Sequence, residues 1–231
     1  MTGKPSPYAN SGAIASYTDD APRKVPGLVD LHRMTMLLLA EQAPNAAHIL
    51  VVGAGGGMET KALAEAQPGW RFTGVDPSPA MLNLARQTVM PFADRIDLLD
   101  GTVDQAPAGP FDGAICLLTL HHIDRSERLN TLREIRHRLK PGASIVIAGH
   151  SAPGPDPSRW MKLSVAFGDR AGFDWARATD TGRMMTERLS LLAPPEEEEL
   201  LREAGFVDVA LFYAAFSFRG WVGIAGHQKL D

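Results

Sequence analysis

The chain has 231 residues, 45% of them hydrophobic and 22% charged, with a formal net charge of −4. This composition is typical of a globular α/β domain, and the scattered Lys and Arg residues give no broad basic field, which argues against a nucleic-acid substrate. The single cysteine, Cys116, leaves no internal disulfide framework and favours a cytoplasmic location. No apolar run reaches the length of a membrane span, so no membrane association is predicted. We expect residues 1–12 to form a disordered tail.

Short apolar runs alternate with helical patterns between residues 45 and 150, which predicts βαβ units around a parallel sheet. The expected strands are His48–Gly53, Arg71–Val75, Ile96–Leu99, Gly113–Leu118 and Ser144–Ala148. Each is short and uniformly apolar, so all of them are predicted to be central in the sheet. The helices expected between them are Met58–Gln67, Pro79–Thr88 and Arg125–Leu139, the last ending at the stop signal Pro141-Gly142.

The flanking segments are predicted to complete one domain over residues 13–231. Residues 13–44 are expected to form an N-terminal helical cap, and 45–150 the cofactor-binding core. A Pro/Gly/Ser linker after Gly149 then opens an inserted helical cap over 151–195, with one helical stretch from Arg159 to about Leu192. Residues 196–231 are expected to form an acid-fronted helix and two antiparallel strands, Val207–Ala214 and Phe218–Ala225.

A glycine-rich loop, in the stretch ILVVGAGGGMETKALAE, joins the first strand to the first helix. Gly53, Ala54 and Gly55 begin the dinucleotide pattern G-x-G-x-x-G, but Met58 takes the sixth place, where Gly or Ala is required. Glycine at such a turn lets the backbone touch a ligand near a helix N-terminus. Asp76, about twenty residues beyond the loop, is placed to accept hydrogen bonds from both hydroxyls of a ribose. Nicotinamide and adenosyl cofactors both satisfy this pattern.

Further segments resemble, in order and spacing, the motifs of class I S-adenosylmethionine-dependent methyltransferases. They are GVDPSPAMLNLAR, GTVDQAP, FDGAICLLTLHHI and LREIRHRLKPGASIVIAG. The resemblance covers residues 45 to 150, and the terminal strand pair is similar to the reversed seventh strand of that family. It implies a Rossmann-like α/β fold with a seven-stranded, mostly parallel sheet, an antiparallel final strand and a helical cap. It also implies S-adenosyl-L-methionine as cofactor and S-adenosyl-L-homocysteine as product.

The resemblance implies a set of cofactor-binding residues as well. The loop residues Gly53, Ala54, Gly55 and Gly57 would line the methionine moiety and the ribose. Asp76 would bind the ribose hydroxyls, with Pro77, Ser78 and Met81 beside ribose and adenine. Adenine would be recognised around Gly101, Thr102 and Val103, with Asp100 as a substitute for the family's usual acid. Leu117 and Leu118 would contact the methionine end through their backbone.

Both ends of the chain are similar to the bacterial wobble-uridine tRNA carboxymethyltransferases, through SYTDDAPRKVPGL, RMMTERLSLLAPPEEEELLREAGF and ALFYAAFSFRGWVGIAG. This second resemblance implies a carboxylated cofactor, a tRNA substrate and a homodimer. It places Tyr17 and Arg23 at the cofactor and Arg183 at a cofactor carboxylate across the dimer. The family's R-S-[VI]-P-G-Y segment reads RKVPGL here, without the tyrosine, and its strand-four segment Asn-Phe-Thr-Leu-Gln-Phe reads LLTLHH. The cofactor form and the tRNA substrate therefore stay open.

His121 and His122 follow the fourth strand, at the carboxyl end of the sheet where α/β proteins bind ligands. Either one is a candidate base for deprotonating a methyl acceptor, and either one could instead order the loop. No third residue has suitable spacing for a metal site, so no metal is predicted. In the inserted cap, the candidate substrate-binding residues are Trp160, Phe167, Phe173, Trp175 and Arg183, with core packing as the alternative for the aromatic ones.

The leading hypothesis is methylation of a small-molecule acceptor, apolar or aromatic, by an S-adenosylmethionine-dependent enzyme. The alternatives are a carboxy-S-adenosylmethionine-dependent tRNA carboxymethyltransferase-like enzyme and a non-catalytic module that retains the cofactor pocket.

Overall fold

The computed structural model describes residues 16–169, 172 and 174–226, so the predicted tail and Phe173 lie outside the described residues. The strands are β1 (His48–Val52), β2 (Arg71–Asp76), β3 (Ile96–Asp100), β4 (Phe111–Leu117), β5 (Leu139–His150), β6 (Phe206–Ala215) and β7 (Phe218–Ala225). The helices are α1 (Tyr17–Lys24), α2 (Leu28–Ala40), α3 (Met58–Ala66), α4 (Pro79–Thr88), α5 (Arg125–Arg138), α6 (Pro157–Gly168), α7 (Trp175–Arg188) and α8 (Pro194–Glu203). Short 3₁₀ turns occupy Met90–Arg95, Val103–Gln105 and Leu120–His122.

The strands form one seven-stranded sheet in the order β3-β2-β1-β4-β5-β7-β6. Strands β1 to β5 pair in parallel, whereas β7 runs antiparallel to β5 and β6 antiparallel to β7. The predicted Rossmann-like architecture is confirmed. Every residue of β4 is buried, on both faces of the strand, because helices cover both sides of the sheet.

The prediction that all five parallel strands are central is wrong for β3. This strand pairs with β2 and lies at one edge of the sheet. Asp97 and Asp100 on it are exposed, and Leu98 and Leu99 are only half-buried. A short strand of mixed composition can occupy an edge, because there the backbone N–H and C=O groups on one side of the strand are left without a neighbouring strand.

The segment predicted as an inserted cap contains two helices, where the sequence pattern predicted one helical stretch. Helix α6 starts at an Asp156 cap, whose carboxylate accepts from the Arg159 N–H at 3.0 Å. Helix α7 has its own cap, since the Asp174 carboxylate accepts from the N–H groups of Ala176 and Arg177. Asp side chains of this kind begin new helices by satisfying unpaired donors. The two helices pack closely at Gly182, where an added Cβ would lie 2.8 Å from the backbone nitrogen of Lys162.

The predicted stop signal Pro141-Gly142 lies inside β5 and does not end the preceding helix. Helix α5 ends at Arg138, and Leu139 already pairs with Phe111 of β4. Tertiary pairing thus lengthens this strand beyond the apolar run that predicted it.

Two buried layers hold the helices to the sheet. One face packs against α5 and α8 through residues such as Leu132 and Leu200. The other packs against α2 and α3 through residues such as Leu31 and Leu63. In the part of the chain that the structure describes, no helix is both long and apolar enough to span a membrane. The parallel strands end at one common edge, which carries the glycine loop, Asp76 and the histidine pair.

Candidate active site

The glycine loop, residues 53–57, turns the chain from β1 into α3. Gly53, Gly55 and Gly57 have φ values of +73°, +48° and +77°, a backbone region that favours glycine. A Cβ at Gly53 would also lie 2.1 Å from the Thr119 Oγ1 atom. Glycine is therefore required at Gly53 both by conformation and by the close approach of the segment after β4.

Asp76 ends β2 beside this loop. Its Oδ2 atom accepts from the Gly55 N–H at 2.8 Å, and its Oδ1 atom accepts from the Ser78 N–H at 2.9 Å. Burial raises the pKa of the Asp76 carboxyl, and these two backbone N–H groups counteract that rise. Each carboxylate oxygen keeps a lone pair, so the oriented group can still accept two hydroxyl donors.

Tyr17 and Met81 flank the glycine loop. A Cβ at Gly55 would lie 3.7 Å from both the Tyr17 Oη and the Met81 Cε atoms, and one at Gly56 only 2.8 Å from the Tyr17 ring. The structure therefore brings together a side-chain-free loop, a phenol, a thioether and a twice-bonded carboxylate. These residues fit an adenosyl ligand, because the bare backbone admits it closely and Asp76 offers ribose acceptors.

The segment after β3 also lies beside Asp76. The Gly101 N–H donates to the Asp76 carbonyl at 3.2 Å. Thr102 is exposed and caps the next turn. Its N–H donates to the Gln105 Oε1 atom at 2.7 Å, and its hydroxyl donates to the Asp104 carboxylate. Val103 is buried beneath it. Pro77 is exposed, and Ser78 caps α4 by accepting from the Met81 N–H.

Glu59 is a buried carboxyl group near Asp76 that the sequence patterns did not single out. It lies in the first turn of α3 and is 8% exposed. Burial, as the main cause, raises its pKa to about 8; its own backbone N–H opposes the shift and Asp76 adds to it. An acid directly after a glycine loop, at a position facing inward by helical spacing, was the available signal.

A cavity of about 500 Å³ lies between the sheet edge and the cap helices. We call it the cap cavity. Its walls come from α1, the end of β4, the histidine turn, the end of β5, α6, α7 and β7. The lining residues are Tyr17, Asp20, Ala21, Lys24, Val25, Leu118, His121, His122, His150, Ser164, Val165, Gly168, Asp169, Arg177, Thr181, Met185, Leu189 and Phe218. Tyr17 both lines this cavity and contacts the glycine loop, so the two sites adjoin.

The two histidines that follow β4 have different environments. His121 is buried, and its Nδ1 atom accepts from the His150 N–H at 3.1 Å. Burial, and then the nearby His150, hold the pKa of His121 well below its usual value. His122 is exposed at the cavity, and desolvation of its ring together with the positive charge of Arg188 lowers its pKa. Both rings are therefore neutral at physiological pH.

Charged residues of the cap cavity are paired. The Lys24 ammonium lies 3.1 Å from the Asp20 carboxylate, and the Arg177 guanidinium lies 3.3 Å from that of Asp169. The hydrogen bond and charge of Lys24 hold the pKa of Asp20 below its usual value. The remaining lining is apolar apart from histidine and hydroxyl groups, which suits a largely apolar ligand without net charge.

Several predicted residues lie elsewhere. Trp160, Phe167, Trp175, Arg183 and Arg23 do not line the cap cavity. Trp160 packs beside Gly154, Phe167 against Phe216, and Trp175 near Lys162, while Arg183 pairs with Asp180 at 3.4 Å. The inward face of α7 carries Arg177, Thr181 and Met185, whose i, i+4, i+8 spacing was the signal for that face.

Leu118 marks the junction of loop and cavity. It has φ = 58°, an uncommon conformation for a residue with a side chain, and its N–H donates to the Ala148 carbonyl at 2.6 Å. Leu117 before it is buried in β4. Within residues 16–169, 172 and 174–226, no group of three or more His, Cys, Asp or Glu side chains is arranged to hold a metal ion.

Known proteins are similar to this chain in sequence and in fold. A family model described as a methyltransferase domain matches residues 50–145. The chain is 26% identical over 216 residues to a carboxy-S-adenosyl-L-methionine synthase of Chromohalobacter salexigens, covering 90% of this chain and 80% of that protein. An O-methyltransferase family protein from Burkholderia thailandensis shares the fold, with a TM-score of 0.66 and 16% identity over 96% of this chain and 62% of that one. PigF, solved with S-adenosylhomocysteine (SAH), also shares it, with a TM-score of 0.56 and 20% identity over 78% and 50% of the two chains.

The sheet topology is that of Rossmann-like methyltransferases, and the methyltransferase domain model matches the part of the chain from β1 to β5. The chain is a methyltransferase that uses S-adenosylmethionine as its cofactor.

Proposed function

We propose that this methyltransferase methylates a small, largely apolar molecule that binds in the cap cavity. The observation that carries the proposal is the cavity itself, about 500 Å³ in volume and adjoining the glycine loop through Tyr17. A space of this size suits a small molecule, and α6 and α7 contribute part of its wall. Its paired charges support an acceptor without net charge.

S-adenosylmethionine supplies the methyl group on a sulfonium sulfur. Asp76 and the glycine loop would hold the nucleoside, with Met81, Ser78 and Pro77 beside it and Gly101, Thr102 and Val103 toward the base. Leu117 and Leu118 would fix the other end through their backbone. Much of the rate enhancement in such a displacement comes from alignment of the reacting groups, which rigid backbone provides well.

His122 is our candidate for the base that removes a proton from the acceptor hydroxyl. Its neutral ring lines the cavity and is exposed, so a proton taken up there can pass on to solvent. His121 is less suited, since its Nδ1 atom already accepts from the His150 N–H and its ring is buried. We propose that His121 orders the turn and shapes the cavity floor.

The proposal is tested with a cavity-filling variant. Val165→Trp should block the cap cavity and abolish release of S-adenosylhomocysteine with a panel of hydroxylated aromatic molecules. Cofactor affinity should stay within about twofold of wild type. The matched control is Val207→Trp, at an exposed position on β6. Turnover that survives in Val165→Trp would contradict acceptor binding in this cavity.

A second candidate is a carboxylated cofactor, with a tRNA carboxymethyltransferase-like activity. It is supported by the similarity to a carboxy-S-adenosyl-L-methionine synthase across 90% of the chain. An additional carboxylate favours a nearby cation, yet the two cations that line the cavity, Lys24 and Arg177, are paired with carboxylates of the same chain. A mass spectrum of ligand released from the purified protein distinguishes the two cofactors by the mass of one carboxyl group.

Other features stay predictions. A homodimer and a cytoplasmic location are tested by sedimentation and by fractionation of cells. The division into an N-terminal cap, a core, an inserted cap and a C-terminal helix with a strand pair is tested by limited proteolysis. A non-catalytic role would require that no acceptor in a broad metabolite panel supports turnover.

A further inference from the structure

A row of hydrogen-bonded polar groups leads from the wall of the cap cavity into the protein interior. It begins at His150, at the end of β5, passes through Ser217 in the turn between β6 and β7, and ends at Ser164 of α6. The His150 Nδ1 atom lies 2.7 Å from the Ser217 Oγ atom, which lies 2.6 Å from the Ser164 Oγ atom. His150 and Ser164 line the cavity, whereas Ser217 is completely buried.

The hydrogen atoms along this row can be placed by counting donors. The Ser217 N–H donates to the Ser164 Oγ atom at 3.2 Å, which leaves that oxygen a second lone pair, so either serine hydroxyl can donate to the other. Among the described residues, the Ser164 hydroxyl has the Ser217 Oγ atom as its acceptor, whereas the Ser217 hydroxyl also reaches two other acceptors, and we therefore assign Ser164 as the donor of this pair. The Ser217 hydroxyl then has two acceptors, the His150 Nδ1 atom at 2.7 Å and the Met161 sulfur at 3.8 Å. A ring nitrogen is a much better acceptor than a thioether. Nδ1 of His150 therefore accepts.

The His150 ring is also fixed in orientation and in charge. It stacks on Phe218 with ring centroids 4.0 Å apart and meets the His121 ring edge-on at 5.0 Å. Burial lowers the pKa of His150 to about 3, so the ring is neutral across the physiological range. A neutral imidazole with an accepting Nδ1 carries its hydrogen on Nε2, on the side of the ring away from Ser217.

We propose that His150 is a specificity-determining residue whose Nε2–H donates a hydrogen bond to an oxygen of the acceptor in the cap cavity. His121 has the same tautomer, because its Nδ1 atom accepts from the His150 N–H. The substrate class that fits is a neutral, mainly apolar molecule bearing a carbonyl or second hydroxyl oxygen besides the methylated group. This inference rests on the proposed function only for the identity of the cavity's ligand.

The tautomer can be measured directly in the free protein. In ¹⁵N-labelled full-length enzyme, long-range ¹H–¹⁵N correlation spectra distinguish protonated from bare ring nitrogens, and His150→Gln assigns the signals. We expect a protonated Nε2 and a bare Nδ1 for His150 in wild type, and a mixture of tautomers in Ser217→Ala. The control Ser158→Ala, at an exposed position on α6, should keep the wild-type pattern. A protonated Nδ1 in wild type would overturn the proposal.

Ligand preference is measured with two probes of similar shape, acetophenone and ethylbenzene. One net hydrogen bond should make acetophenone bind about three- to tenfold more tightly to the wild type. His150→Leu should lose this preference, and His137→Leu, at an exposed site on α5, should keep it. Equal binding of the two probes to wild type, or a preference that survives in His150→Leu, would overturn the proposal. Neither experiment requires methyl transfer, so failure of the proposed function is seen separately, as absence of turnover.

Discussion

The glycine loop and Asp76, which we call the cofactor corner, lie beside the cap cavity. The two regions are assembled differently. The cofactor corner uses the glycine loop and Asp76, which are about twenty residues apart and bonded mainly through backbone N–H groups. The cap cavity takes its walls from α1 through to β7, and its character depends on side chains. Backbone geometry therefore shapes the proposed cofactor site, whereas packing of distant side chains shapes the cavity in which we propose that the acceptor binds.

The largest expected effect concerns the support of the cavity floor. Arg128 and Glu197 form a fully buried ion pair, and Arg128 also donates to the Ser190 carbonyl at 2.5 Å. The Ser190 N–H in turn donates to the His121 carbonyl. Glu197→Ala leaves a buried unpaired guanidinium and should lower the free energy of unfolding by about 3–5 kcal/mol. Chemical denaturation measures this, with the exposed Glu199→Ala as control; equal effects of the two variants would show that the pair has no structural role.

The next effect belongs to the cofactor corner and depends on pH. The folded-state pKa of Glu59 is about 8, above that of an unfolded carboxyl, so its contribution to stability is complete at low pH and lost as pH rises toward 8. Glu59→Gln should remove this loss and, relative to wild type, gain about 2–4 kcal/mol of unfolding free energy between pH 5 and 8. Melting curves across this range test it, with exposed Glu65→Gln on the same helix as control. Parallel pH profiles for wild type and Glu59→Gln would contradict the buried-acid assignment.

Asp76 separates the two regions functionally. Asp76→Asn places an amide N–H₂ group against one of the backbone N–H donors that the carboxylate accepts from. It also removes the negative charge from the side chain that would accept the ribose hydroxyls. Cofactor affinity should therefore fall about 10- to 100-fold. Titration calorimetry with S-adenosylhomocysteine measures the loss. Binding of acetophenone in the cap cavity should change less than twofold. Exposed Asp97→Asn is the control, and unchanged cofactor affinity in Asp76→Asn would exclude the ribose role.

The smallest effect distinguishes two of the arginines of α7, Arg177 and Arg183. Both side chains are exposed and paired, but Arg177, bonded to Asp169, lines the cavity, whereas Arg183, bonded to Asp180, does not. Arg177→Ala should raise the KM for the acceptor a few-fold, since exposed ion pairs contribute only about 0–1 kcal/mol. Arg183→Ala should leave KM and kcat unchanged. A strong loss of cofactor affinity in Arg183→Ala would favour the carboxylated cofactor.

Sequence patterns predicted the local elements of the cofactor corner well. Helix α4 begins and ends where expected because Ser78 caps it and Pro79 fixes its first turn. The turn formed by the glycine loop, the position of Asp76 at the end of a strand and the terminal strand pair were also predicted, because each depends on residues close together in the chain. The position of β3 at the edge was missed, because strand order is set by crossover connections that periodicity does not report.

The cap cavity could not be predicted from composition. Trp160, Phe167 and Trp175 were chosen for their size, but the helices turn them toward other surfaces. The lining depends on how α6 and α7 rotate against α1, which is decided by close contacts such as Gly182 against Lys162. His150 was missed for a similar reason: its partner, Ser217, is distant in sequence and adjacent only in the folded chain.

The most direct test of our central claim is to follow a labelled methyl group. Enzyme is incubated with [methyl-¹⁴C]S-adenosylmethionine, a small-metabolite extract and bulk tRNA, and the label is counted separately in each fraction. We predict label in the small-molecule fraction, and its absence when Val165→Trp replaces the wild type. Label in the tRNA fraction, or small-molecule label that persists in Val165→Trp, would contradict methylation in the cap cavity.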